Sequence, residues 1–238
     1  MAGAIKGLLF DKDGTLFDFA ASWSTVIEDT LAALTSDRGL QITMGRATGF
    51  DPVTGEFEPG SMAVAGALDE VARIWSNFLP DRNAAEVAAI ADEIAEAATG
   101  TLVPAVPDLP GLLAELRTTG HVLGIATHDS EAAAHAHIAH ARVTEHFAFV
   151  AGYDSGHGLK PGPGMLLAFA SATGLHPSEI AMIGDSVHDL GVAASAKAAI
   201  AIGVLSGPAT ERDLGPYADH VLPSIGDIPA LLARLSRS

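Results

Sequence analysis

Residues 8–18 read LLFDKDGTLFD. An apolar run, AIKGLLF at 4–10, stops at two aspartates that flank a lysine, and Gly14 and Thr15 follow. A short apolar run bounded in this way reads as a buried strand that ends in a turn. Residues two apart in extended chain project to the same side, so Asp11 and Asp13 are expected to face one edge while Lys12 points away. Two carboxylates about 4 Å apart repel by roughly 4 kcal/mol at an effective dielectric near 20. Such a pair is tolerable when a cation sits in it.

Working outward, four more runs have the same character: HVLGIAT (121–127), FAFVAGYD (147–154), EIAMIGD (179–185) and AAIAIGV (198–204). They barely alternate between apolar and polar, as strands covered on both faces require. Helical patterns lie between them: PGLLAELRTTG, DSEAAAHAHIAHA, PGMLLAFASATG and DLGVAASAKA. Alternating strand and helix predicts an α/β fold, a doubly wound parallel sheet with helices on both faces.

The interval 19–100 breaks that rhythm. It holds no convincing strand. Trp23, Ile27, Leu31 and Leu34 share a helical face, as do Val64, Leu68, Val71, Trp75 and Phe78, and Val87, Ile90, Ile94 and Ala98. The tryptophan stripes read as the core of this insert. Its exits are FDFAAS and the three-proline stretch TGTLVPAVPDLPG (99–111). The expected organisation is an α/β core of 1–18 with 101–238, and a smaller all-helical domain of 19–100.

In open parallel sheets, ligands bind at the carboxyl ends of the strands. There the sequence places Asp11 to Thr15, then Thr127-His128-Asp129, then Gly158-Leu159-Lys160-Pro161, then Gly184-Asp185-Ser186-Val187-His188-Asp189. Adding Asp185 to the first pair of acids sharpens the repulsion. Oxygen ligands, with no cysteine and no tight histidine set, favour Mg²⁺.

DKDGTL, the Thr127 motif, LKP and GDSVHD, in this order and with an insert after the first, resemble the haloacid dehalogenase superfamily. Within it the chain is similar to phosphatases of the phosphoglycolate phosphatase type with a helical cap. The resemblance spans nearly the whole chain, and the ordered set of motifs is far more specific than any one of them. It implies that Asp11 is a nucleophile forming an aspartyl-phosphate. It implies that Asp13 protonates the leaving alcohol and then activates water. Mg²⁺ would be held by Asp11, the Asp13 backbone carbonyl and Asp185, with Asp189 orienting its waters. Thr127 and Lys160 would bind and neutralise the phosphoryl group, with Gly14, Thr15 and His128 beside it. His128 stands where many relatives carry asparagine.

The acid at position 13 weakens a dehalogenase reading, since a halide leaving group needs no proton. The lack of any lysine in 19–100 weakens a phosphonate hydrolase reading. A phosphomutase of the β-phosphoglucomutase type and a non-enzymatic binding protein are the remaining rivals. By resemblance the substrate is a small phosphorylated metabolite, with 2-phosphoglycolate leading. Arg46, in the Gly/Pro-rich segment 44–60, is the candidate for reading an anionic leaving group. His135, His137 and His140 spread around their helix, which reads as a solvated face.

The totals agree. The 238 residues, 48% hydrophobic, can fill one large core and a satellite. A net charge of −16 disfavours nucleic acid and anionic membrane as partners. With no cysteine, no signal-like N-terminus and no long apolar run, the expected location is the cytoplasm.

Overall fold

The apolar run before Asp11 forms strand β1 (Gly7–Phe10), and all four of its residues are buried. The computed structural model describes residues 5–58 and 60–237; Ala4, the expected start of this strand, lies outside them. The strands that follow are β2 (Phe50–Asp51), β3 (Glu56–Phe57), β4 (Val122–Ala126), β5 (Phe147–Ala151), β6 (Ile180–Gly184), β7 (Ile200–Val204) and β8 (His220–Leu222). Six of them form one sheet in the order β5-β4-β1-β6-β7-β8, and each pair is parallel. Phe10 pairs with Ile125 on one side and Ile183 on the other. The three central strands therefore end level, which brings the residues just after them to one edge.

The helices are α1 (Phe19–Leu34), α2 (Arg38–Thr48), α3 (Met62–Ala65), α4 (Leu68–Ser76), α5 (Ala84–Ala97), α6 (Leu109–Thr118), α7 (Glu131–His140), α8 (Gly164–Thr173), α9 (Val187–Ala196), α10 (Glu211–Leu214) and α11 (Ile228–Leu235). One face of the sheet packs on Leu113 of α6, Ile138 of α7 and Leu231 of α11. The other packs on Phe169 of α8, Leu190 of α9 and Leu214 of α10. Both faces are covered, which is why the strand sequences are apolar without alternation.

The helices α1 to α5 enclose a separate core that includes Ile27, Leu31, Met44, Phe50, Val71 and Trp75. Asp18 caps α1 by accepting from Ala21 N at 2.9 Å, so the chain turns from the sheet edge straight into this insert. The insert is not wholly helical. The segment after α2 makes the short antiparallel hairpin β2–β3, because Gly49 ends α2 in the left-handed region at φ 88° and Gly55 (φ 74°) supports the turn. The stripe from Val64 to Phe78 is cut at Gly66 into α3 and α4, and Phe78 lies beyond α4. Strand β8, three residues long, was not expected. Among the described residues no helix is long and apolar enough to cross a membrane.

Candidate active site

The chain leaves β1 with Asp11 N donating to Ile183 O at 2.8 Å, which continues the ladder for one residue. It then turns: Leu16 N and Phe17 N both reach back to Lys12 O, and Gly14 N bonds Phe17 O at 2.7 Å. Gly14 has φ +83°, and an added Cβ there would overlap the Asp185 carboxylate. Only glycine combines that backbone with so close an approach.

Asp185 follows β6, and Ser186 begins α9 as its N-cap. The capping box is reciprocal: Asp189 N donates to Ser186 Oγ, while Asp189 Oδ2 accepts from Ser186 N at 3.1 Å. The box fixes the Asp189 carboxylate, whose other oxygen accepts from Lys160 Nζ at 2.6 Å. Lys160, in the loop before α8, also donates to Asp11 Oδ1 at 2.6 Å and to Ala126 O at 3.2 Å. One ammonium thus ties the ends of β1, β4 and α9 together.

Asp11, Asp185 and Asp189 present carboxylate oxygens that all lie within 4.8 Å of one another, and all three residues are buried. Burial pushes the Asp11 carboxyl up to about 7, against the pull of Lys160 and with help from Asp189 and Asp13. Asp185 is raised well above its ordinary value by burial and then by the charges of Asp11 and Asp189. Burial alone would lower Lys160, but the two aspartates outweigh it and hold the ammonium charged. Three carboxylates face one ammonium, so two negative charges remain when all are ionised. An all-oxygen, buried donor set with that excess fits a hard divalent cation such as Mg²⁺.

Asp13 lies apart from this trio. Its Oδ1 accepts from Lys12 Nζ at 2.6 Å and from Trp23 Nε1 at 2.7 Å. Lys12 was expected to point away; instead it is fully buried and turned onto the neighbouring aspartate, because the extended geometry ends at Asp11. The same ammonium is 3.0 Å from His137 Nδ1 and 3.3 Å from Asp129 Oδ2. Burial would lower the Lys12 pKa, but Asp13 and Asp129 raise it more. His137 Nε2 sits 2.7 Å from Ala95 O in α5, an acceptor only, so Nε2 carries the hydrogen and Nδ1 accepts from Lys12. Burial, then the Lys12 charge, lowers His137 to about 4 and keeps the ring neutral. His137 is 1% exposed, so it is not part of a solvated face as the spacing suggested.

Thr127 follows β4, with its N–H on Ala151 O and its Oγ1 accepting from Asp129 N at 3.1 Å. His128 Nε2 accepts from Lys160 N at 3.0 Å. Asp11, Asp13, Thr127, His128, Lys160, Asp185 and Asp189 all line one cavity of about 80 Å³ between the sheet edge and the insert. Its opposite wall comes from α1, α3 and α4 and includes Trp23 and Trp75, so the tryptophans face the site as well as the insert core.

Three expected residues are not in the cavity wall, the first being Gly14, which packs behind it against the Asp185 carboxylate. Thr15 is buried outside the cavity wall, with no hydrogen-bond partner for Oγ1. Arg46 is exposed on α2 and paired with Asp51 at 3.0 Å, so it does not reach the cavity. No motif pointed to Ser206 and Gly207, after β7. Ser206 Oγ donates to Gly14 O at 2.7 Å, and a Cβ at Gly207 would overlap Asp185 Oδ2.

Residues 5–197 match the family model of the haloacid dehalogenase-like hydrolases. A protein of Dickeya dadantii named Probable phosphatase IndB is 30% identical over 211 residues, 87% of this chain and 84% of that one. The phosphoglycolate phosphatase of Yersinia pestis is 28% identical over 242 residues, 96% of each. A haloacid dehalogenase-like hydrolase of Bacteroides fragilis superposes with a TM-score of 0.73 at 21% identity, over 94% of this chain and 99% of that one. A β-phosphoglucomutase of Clostridium difficile shares the fold with a TM-score of 0.67 at 15% identity, over 98% of this chain and 100% of that one. With the family model spanning most of the chain and the acidic strand ends assembled around one cavity, the protein belongs to the haloacid dehalogenase-like hydrolases.

Proposed function

We propose that the protein is a Mg²⁺-dependent phosphatase that hydrolyses a small phosphomonoester through an aspartyl-phosphate on Asp11. One observation carries this reading: Asp11, the residue aimed out of the central strand, shares a buried acidic cluster with Asp185 and Asp189, and Lys160 bridges it to Asp189. When bound, the divalent ion supplies charge neutralisation for the carboxylates and the phosphoryl oxygens.

The residues then divide the work. An Asp11 carboxylate oxygen attacks phosphorus, and the bond from phosphorus to the alcohol oxygen breaks. The alkoxide takes a proton from Asp13. Lys12 and Trp23 both occupy Oδ1 of Asp13, so that proton travels on Oδ2. Thr127 accepts at Oγ1 from Asp129 N and keeps its hydroxyl hydrogen for a phosphoryl oxygen. Asp13, now ionised, takes a proton from water; the hydroxide attacks phosphorus, the bond to Asp11 breaks, and inorganic phosphate leaves. The helical insert, about residues 19–100, acts as a cap that excludes bulk water.

2-Phosphoglycolate enters as a candidate through the likeness to the Yersinia pestis protein. On this reading the enzyme works in the cytoplasm on a phosphorylated metabolite, without nucleic acid or membrane. The test is a panel of phosphorylated metabolites with and without Mg²⁺, measuring released phosphate, with Asp11→Asn as control. Phosphate release that needs both Mg²⁺ and Asp11 supports the proposal. An isomerised sugar phosphate in place of free phosphate would turn it into a β-phosphoglucomutase-type mutase. Full biological activity of Asp11→Asn would make it a binding protein.

A further inference from the structure

The two halves of the cavity differ in chemistry. On the sheet side are the carboxylates, Thr127, His128 and Lys160. On the insert side the wall is built from Phe19, Trp23, Ile27, Val64, Leu68 and Trp75. The polar side-chain atoms of those six residues are already engaged: Trp23 Nε1 is on Asp13 and Trp75 Nε1 donates to Met44 O at 3.0 Å. Segment 19–100 contains no lysine and no histidine, and its arginines are at 38, 46, 73 and 82. Arg46 is paired with Asp51, Arg73 with Asp69, and Arg38 donates to Pro52 O at 2.5 Å. None of the four lines the cavity among the described residues. The cationic groups in the cavity are on the sheet side, where Lys160 is held by Asp11 and Asp189.

We infer that the enzyme's substrates are phosphate monoesters of uncharged, apolar alcohols, with the phosphate at the acidic strand ends and the hydrocarbon against the insert wall. The inference rests on the phosphatase reading above and narrows it against 2-phosphoglycolate, the candidate that the likeness to a relative supplied. A leaving group with its own carboxylate or second phosphate would bring an unpaired anion against an apolar wall, in a chain of net charge −16. An apolar leaving group loses nothing there and gains about fourfold per buried methylene.

The experiment uses the unmodified protein with saturating Mg²⁺ and measures phosphate release from methyl, ethyl, n-propyl and n-butyl phosphate and from 2-phosphoglycolate. The expected result is a kcat/KM that rises about fourfold per methylene until the cavity is filled, and that is at least tenfold higher for n-butyl phosphate than for 2-phosphoglycolate. The butyl ester has the poorer leaving group, so intrinsic reactivity cannot produce that order. A flat series, or 2-phosphoglycolate as the better substrate, overturns the inference and leaves the phosphatase reading intact. No phosphate from any of these five esters overturns the inference, and the phosphatase reading then stands or falls with the metabolite panel above. As a second arm, Val64→Arg and Leu68→Arg, at half-buried wall positions, should shift the ratio toward 2-phosphoglycolate by tenfold or more. An unchanged ratio in variants that still hydrolyse ester counts against the wall as the selecting surface.

Discussion

Lys12 and Asp13 are chain neighbours whose side chains meet, with Nζ 2.6 Å from Oδ1. In a strand they would point to opposite faces; the turn after Asp11 lets them converge. Behind Lys12 stands neutral His137, whose ring is fixed by Ala95 O from the insert. The proposed acid–base group is thereby held by a lysine that touches both layers of the molecule. Lys12→Met should cost about 3 kcal/mol of stability, because Asp13 and the buried Asp129 lose their shared cation. Urea unfolding reads this directly, and an unchanged midpoint would refute it. Among molecules that remain folded, kcat should fall at least tenfold.

Asp13→Asn removes the proton carrier but keeps the shape. The expected loss in kcat is about 10²- to 10⁴-fold. Breakdown of the intermediate should slow as well as its formation. Acid quench and intact-mass measurement should therefore find phosphoryl-protein in the variant, which Asp11→Asn abolishes.

The raised carboxyls link metal binding to pH. The Asp11 carboxyl, ordinarily 3.8, sits at about 7 in the metal-free chain. Its proton is therefore bound more tightly folded than unfolded. The stability it contributes is complete below about pH 4 and is lost as pH rises through about 7. Mg²⁺ needs the ionised form, so metal should restore most where the free protein has lost most. Saturation at a hundredfold excess over Kd corresponds to about 2.7 kcal/mol. Thermal melts should show a larger Mg²⁺-induced rise in Tm at about pH 8 than at about pH 6; equal or reversed shifts would contradict the assignment.

Gly207→Ala tests a contact far from the motifs. Its Cβ would collide with Asp185 Oδ2, and the carboxylate must move. Mg²⁺ affinity measured by calorimetry should weaken by about 10- to 100-fold while the circular dichroism spectrum stays native. Unaltered affinity would mean that the position of Asp185 is not what sets binding.

Most of the sheet was legible because its strands are buried on both faces, and such strands spell themselves as unbroken apolar runs. β8 escaped, since three residues starting with His220 give no such run. The Asp11, Thr127, Lys160 and Asp185 positions were legible because each directly follows a strand or sits in a motif of fixed order. Lys12 was not, because the alternation rule holds only as far as the strand does. Trp23 read as insert core, since a helical stripe reports one buried face and not which neighbour each end of it touches. Arg46 failed for the opposite reason: a lone cation beside acids suits a ligand or a local ion pair equally, and Asp51 is five residues away. Gly207 had no signal at all, because its role depends on a partner that only the folded sheet supplies.

β1 precedes both of its partners in the chain and sits in the middle of the sheet, between β4 and β6. A ribosome releases it long before its partners at Val122–Ala126 and Ile180–Gly184 exist. At about 5–20 residues per second the nascent strand waits on the order of ten seconds with both edges unmet. During synthesis its fully apolar GLLF is therefore an unpaired strand with two free edges, which another newly made chain can meet before its own partners do.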